Sequence, residues 1–80
     1  MTLNKAFAMR VSSLLIKNNV SRYRLEKETC LTHSALRYIF NEVNKDVKFS
    51  TIVKVASFFN MTLSEFFDDA IFNYENLETE

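Results

Sequence analysis

His33, Arg37 and Asn41 stand four residues apart, and Ser34 and Tyr38 fall between them three and four residues from their neighbours in the row, the spacing that gathers side chains on one side of a helix. All five carry groups that donate or accept hydrogen bonds. A guanidinium such as that of Arg37 matches the O6 and N7 acceptors of guanine in the major groove of a duplex. An idle surface helix more often carries a mixture of Glu and Lys. Arg37 has a second use open to it, a surface ion pair with Glu26 or Glu28, and such pairs contribute little stability. His33 serves equally well as an ordinary surface histidine or as a hydrogen-bonding group for a base. Tyr38 either packs on a neighbouring side chain or lies along a phosphate.

Other chemistries find less support. Cys30 and His33 stand three residues apart, but a zinc site needs four ligands and no second pair exists, so no metal is expected. Cys30 reads as a small apolar filler. There is no glycine, hence no glycine-rich phosphate loop, and no nucleophile, base and acid combine into a catalytic set. A small helical core leaves little room for a substrate. No enzyme activity, cofactor or small-molecule substrate is expected. The phenylalanines read as core before they read as a cofactor pocket.

The elements that position these residues are constrained by composition. Eighty residues suffice for one domain with a single core. Without glycine or proline, turns at positive φ and rigid corners fall to other residues, which disfavours hairpins and favours helices. Eight phenylalanines and three tyrosines give a short chain a large apolar area to bury. One cysteine makes no internal disulfide, and no charged, apolar and small-residue sequence marks a secretory signal, so the expected location is the cytoplasm. The apolar runs fall well short of the roughly 20 residues of a membrane span. Formal charge is zero but divided: the ten basic residues all lie in 1–54 with four acids, a net of +6, while 55–80 has six acids and no base, a net of −6. That division predicts a basic working face and an acidic opposite end, or else a solvated surface with accidental clustering.

Apolar periodicity then lays out the helices. Leu3, Phe7, Val11, Leu14 and Leu15 form the stripe of a first helix that ends near Asn18 and Asn19, residues that tolerate left-handed geometry. Ser21 caps a second helix, with Val20 and Leu25 as its hydrophobic staple, running to about Thr29. Thr32 caps a third, with Leu31 and Leu36 as staple, reaching Phe40 or Asn41. Residues 41–48 read as a loop. Ser50 is expected to cap a fourth helix with Ile52, Val55, Ala56, Phe58 and Phe59 on its buried face, stopping at Asn60. Thr62 and Glu65 form a capping box for a fifth, stapled by Met61 and Phe66, spanning 63 to about 69 or continuing through Ala70, Ile71 and Phe72. Residues 73–80 read as a tail.

Two short stapled helices joined by about three residues describe a helix-turn-helix. The tight link makes the second helix cross the first steeply, so Leu36 and Ile39 face the core while His33, Ser34, Arg37, Tyr38 and Asn41 face solvent. Residues 10–67 resemble the Cro/C1 repressor type of helix-turn-helix, the XRE-like family. The residues that carry the resemblance are Val20-Ser21, Leu25, Leu31-Thr32, Leu36, Ile39, Phe40-Asn41, Ile52-Val53-Lys54-Val55-Ala56 and, most specifically, Met61-Thr62-Leu63-Ser64-Glu65-Phe66-Phe67.

The resemblance implies an all-α, compact five-helix, lambda-repressor-like domain over 1–70, with 71–80 an acidic tail or dimer contact. It implies base-edge contacts from Thr32, His33, Ser34 and Arg37. Backbone contacts are expected from Asn41 and Asn44, from Ser21, Arg22 and Tyr23 beside the start of the second helix, and from Tyr38 and Lys45. Two residues depart from the family pattern. Glu26 stands where a small residue is usual and must turn outward to spare the helix crossing. Cys30 stands where glycine is usual, and positive φ at a non-glycine residue costs on the order of 1 kcal/mol.

These readings together predict a sequence-specific regulator of transcription, a repressor type, that binds double-stranded DNA as a homodimer. Phe67, Ile71, Phe72, Tyr74 and Leu77 either bury against a twin or fold back on the first helix of their own chain. The competing reading is a helix-turn-helix scaffold serving as a protein-interaction module, an antirepressor- or antitoxin-like partner with little DNA affinity, for which zero net charge is the main support.

Overall fold

The computed structural model describes residues 1–40 and 46–77. The chain runs through α1 (Leu3–Lys17), α2 (Arg22–Thr29), α3 (His33–Ile39), α4 (Phe49–Phe58) and α5 (Leu63–Phe66), then through two 3-10 turns, Ala70–Phe72 and Tyr74–Asn76. No strand occurs among the described residues, so the class is all-α, with five α-helices. A radius of gyration of 12.0 Å is close to the about 12 Å of a compact chain of this length.

Local capping explains where most helices begin. The hydroxyls of Thr2, Ser21, Thr32 and Thr62 each accept a hydrogen bond from the backbone N–H three residues on, at 3.0–3.1 Å. Glu65 completes the expected capping box, its carboxylate accepting from the Thr62 N–H at 2.9 Å. The fourth helix departs from expectation. Its cap position is Lys48, not Ser50, and no side chain closes it. Val47 packs against the core, so the chain is already turning at Lys48, whose carbonyl accepts from Thr51 and Ile52. Ser50 therefore falls inside the first turn.

With no glycine available, the corners after α1, α2 and α4 place Asn19, Cys30 and Asn60 at φ of 53°, 57° and 57°. Asparagine tolerates this region better than other side chains, whereas cysteine has no such advantage.

The core joins Phe7, Val11, Leu14 and Leu15 of α1 to Leu25, Leu31, Leu36, Ile39, Val55, Ala56 and Phe66. Leu3, expected in the α1 stripe, is instead exposed. It stands in the capping turn, beyond the buried part of the helix. Phe66 is fully buried, with ring centroids 5.4 Å from Phe7 and 5.1 Å from Phe67.

The fifth helix is shorter than expected, ending at Phe66 rather than near Asp69 or Phe72. Two charges end it. Arg10 of α1 donates from Nε to the Phe66 carbonyl at 2.7 Å and from Nη2 to the Glu65 carbonyl at 3.1 Å, taking groups a longer helix would have used internally. Asp69, extended, accepts from the Ile71 N–H at 2.9 Å and so starts the next turn instead of continuing the last. An acid opposes the dipole at a helix C-terminus and suits an N-cap. Residues 73–77, expected as part of a tail, contain the second 3-10 turn. The Met1 ammonium donates to the Asn76 carbonyl at 3.0 Å, and the Asn76 side-chain amide donates to the Ala70 carbonyl at 2.7 Å.

Candidate nucleic-acid interface

The site is built by α2, the turn at Cys30 and α3. Leu25 of α2 and Ile39 of α3 are fully buried, and Leu31 and Leu36 are buried with them. Val20, the staple residue before Ser21, packs on the same core. Four aliphatic anchors thus fix one side of both helices. The other side of α3 stays open: Thr32, His33, Ser34 and Arg37 are exposed, and the His33 side chain reaches 82 %. Among the described residues, no ring of carboxylates surrounds this row.

One carboxylate does come near. Glu26 lies partly buried on α2 with its Oε1 3.4 Å from His33 Nδ1. It turns outward, as the crossing of the helices required, and it ends beside the first residue of α3. Glu28, the other acid considered as a partner for Arg37, pairs with Arg24 one turn away on α2.

Tyr38 differs from its expected place. It is half-buried rather than open to solvent, because it shares a cleft of about 430 Å³ with the Cys30 turn and the start of α4. Lys48, the cap of α4, and Lys54 within α4 line the same cleft together with Asp46, so this segment brings two cations and one acid to the flank of α3. On the opposite flank, Ser21, Arg22 and Tyr23 are exposed, but Arg22 lies across the Phe40 ring with its guanidinium carbon 3.9 Å from the centroid. Asn41, Asn44 and Lys45 lie outside the described residues.

This arrangement is two capped helices of eight and seven residues, crossing at a left-handed turn, one side anchored by aliphatics and the other lined with donors and acceptors. A family model of the Cro/C1-type helix-turn-helix DNA-binding domain matches residues 10–70. The chain belongs to the Cro/C1-type helix-turn-helix DNA-binding family. That match covers both α2 and α3 and continues through α5. No curated protein and no solved structure matches the chain.

Among the described residues of this Cro/C1-type domain, no helix is long and apolar enough to cross a membrane. The five residues expected at a dimer contact are divided. Phe67 and Tyr74 are exposed, whereas Ile71, Phe72 and Leu77 are half-buried. Phe72 packs on the core and against Phe67, at 4.9 Å between centroids, and the Ala70–Phe72 turn lies against α1.

Three features of the site escape a reading of the sequence: the Glu26–His33 contact, the Arg22–Phe40 stack and the lysines brought in by α4. The first follows from noticing that α2 and α3 must cross at Glu26. The other two join residues whose separation has no helical period, and no local signal announces them.

Proposed function

We propose that this chain is a sequence-specific transcriptional regulator of the repressor type, acting in the cytoplasm, that inserts α3 into the major groove of double-stranded DNA. The observation that carries this reading is the two-sidedness of α3, with Leu36 and Ile39 held in the core while Thr32, His33, Ser34 and Arg37 stand in solvent. Those four side chains make the base contacts. Ser21, Arg22, Tyr23 and Tyr38 meet the phosphate backbone, joined by Asn41, Asn44 and Lys45, with the α2 N-terminus adding its dipole. Two copies form a homodimer through the exposed parts of Phe67 and Tyr74 with Ile71, Phe72 and Leu77, presenting α3 to half-sites about 34 Å apart.

Selection from random duplexes, followed by fluorescence anisotropy across a salt series, tests the proposal. Affinity falls as salt rises, with a log–log slope of about 0.9 for each phosphate neutralised. Arg37→Ala weakens binding to the selected site by about 1–3 kcal/mol and leaves random DNA and the melting temperature little changed. A protein that binds no duplex at low salt refutes the reading and favours an interaction module in its place.

A further inference from the structure

Glu26 of α2 meets His33, the first residue of α3, with its Oε1 3.4 Å from His33 Nδ1. The partners are unequal. The Glu26 side chain is 29 % exposed and that of His33 82 %, so the carboxylate is the fixed member and the imidazole the free one. Their separation lies just beyond the roughly 2.7–3.2 Å of an N–H···O bond, a gap that a small turn of the exposed ring closes. Glu28, the other acid of α2, is taken up by Arg24. An ionised carboxylate only accepts hydrogen bonds, whereas a neutral imidazole has one N–H and one bare nitrogen. A carboxylate beside Nδ1 therefore favours the proton there and leaves Nε2, at the far end of the ring, as an acceptor.

We infer that Glu26 is a positioning residue that makes His33 a hydrogen-bond acceptor toward DNA, so that His33 meets a base through its exocyclic amine, adenine N6 or cytosine N4. Those amines are the donors of the major groove, whereas guanine offers acceptors at O6 and N7. A guanidinium has donors only and suits guanine, so the exposed row of α3 that holds His33 and Arg37 carries both kinds of reader. A histidine with no carboxylate beside it takes either tautomer and has no fixed preference between donor and acceptor edges. The inference rests on the proposed DNA-binding function and deepens it by naming the class of base edge met at the start of α3.

Two measurements on the full chain test it. In isotope-labelled protein at about pH 8, where an ordinary imidazole is neutral, the ring nitrogen resonances should show His33 carrying its proton on Nδ1, and Glu26→Ala should move that proton toward Nε2. The wild-type result needs neither DNA nor a variant. The second measurement uses the selected duplex. At the base whose identity ceases to matter in His33→Ala, the exocyclic amine is removed, with purine for adenine or the amine-free pyrimidinone for cytosine. Wild-type affinity should fall roughly threefold to tenfold, the worth of one hydrogen bond, whereas the same deletion should cost Glu26→Ala almost nothing. Glu26→Gln, whose side-chain oxygen still accepts from Nδ1, should keep most of the wild-type discrimination. Circular dichroism establishes that the variants fold. A wild-type His33 with its proton on Nε2, or with both nitrogens protonated, overturns the inference. So does guanine or thymine as the base that His33 selects, or an amine deletion equally costly with and without Glu26. If wild type binds no duplex, the functional reading itself has failed; if it binds and one of those results appears, only the role of Glu26 has.

Discussion

The helix-turn-helix and the C-terminal closure use opposite means to hold their shape. Between Ser21 and Ile39 the inward groups are aliphatic, Leu25, Leu31, Leu36 and Ile39, and the outward ones are polar and exposed. From Phe66 to Phe72 the contacts are aromatic, three rings in edge or tilted contact with Phe7 joining from α1, and Arg10 ties the segment to α1. Large apolar area is thus concentrated away from the exposed polar row of α3. The difference teaches that an exposed polar helix face is sustained by stability placed elsewhere, and it predicts that the two regions fail in different ways.

The largest effect is expected at Phe66. Truncating this fully buried ring with Phe66→Ala removes the centre of the aromatic group, and about 3–5 kcal/mol of stability should be lost in urea unfolding. A loss below about 1 kcal/mol would show that the aromatic closure is not the scaffold. The complementary change Arg37→Ala should lower DNA affinity by more than it lowers stability, so the pair separates the scaffold from the proposed DNA contact.

Arg10→Ala comes next. Its charged hydrogen bonds to the carbonyls of Glu65 and Phe66 and its contact over the Phe66 ring, 5.7 Å from the centroid, are largely shielded from water. The expected loss is about 1.5–3 kcal/mol, read in the same unfolding experiment. A neutral result would assign the end of α5 to Asp69 alone.

Much of this was legible in the sequence because caps and staples are local. Ser21, Thr32, Thr62 and Glu65 carry their signals within one turn, and all four act as the residues themselves indicate. The inner and outer sides of α3 follow from periodicity for the same reason. Arg10 was not legible, since its partners lie 55 and 56 residues along the chain and no period links them. Ser50 misled because a good cap residue yielded to the anchoring of Val47 one turn earlier. Asp68 and Asp69 signalled trouble for a continuing α5, but only the position of Arg10 shows why the helix stops at Phe66.

Cys30→Gly sharpens the comparison at the corner of the motif. Cysteine at φ 57° carries strain of about 1 kcal/mol, and glycine gives back part of that through the freedom of the unfolded chain. Because Cys30 is exposed, little packing is lost. A net gain below about 1 kcal/mol, seen as a rise of a few degrees in melting temperature, is expected. Destabilisation would mean that the thiol is held by contacts along its cleft.

The smallest effect is at Glu65. The Thr62 backbone N–H, with help from the Thr62 side chain, holds the Glu65 carboxyl below its ordinary value of 4.5. Because the folded value is depressed, the stabilisation is present above 4.5 and disappears as pH falls through the lower folded value. Wild type should therefore exceed Glu65→Gln in urea midpoint near neutral pH, and the gap should narrow as the solution is acidified below 4.5. A gap that stays constant with pH would assign the capping box no ionic part.

The meeting of the Met1 ammonium with the Asn76 carbonyl has a consequence for how the molecule opens. Asn76 in turn holds Ala70, and that turn lies on α1, so the two ends of the described chain are tied together and are expected to open together. Neither should fray alone. Hydrogen exchange at the first amides of α1 and at those of Ile71 and Phe72 should speed up together when Asn76 is replaced, as happens when distant segments open in a single step.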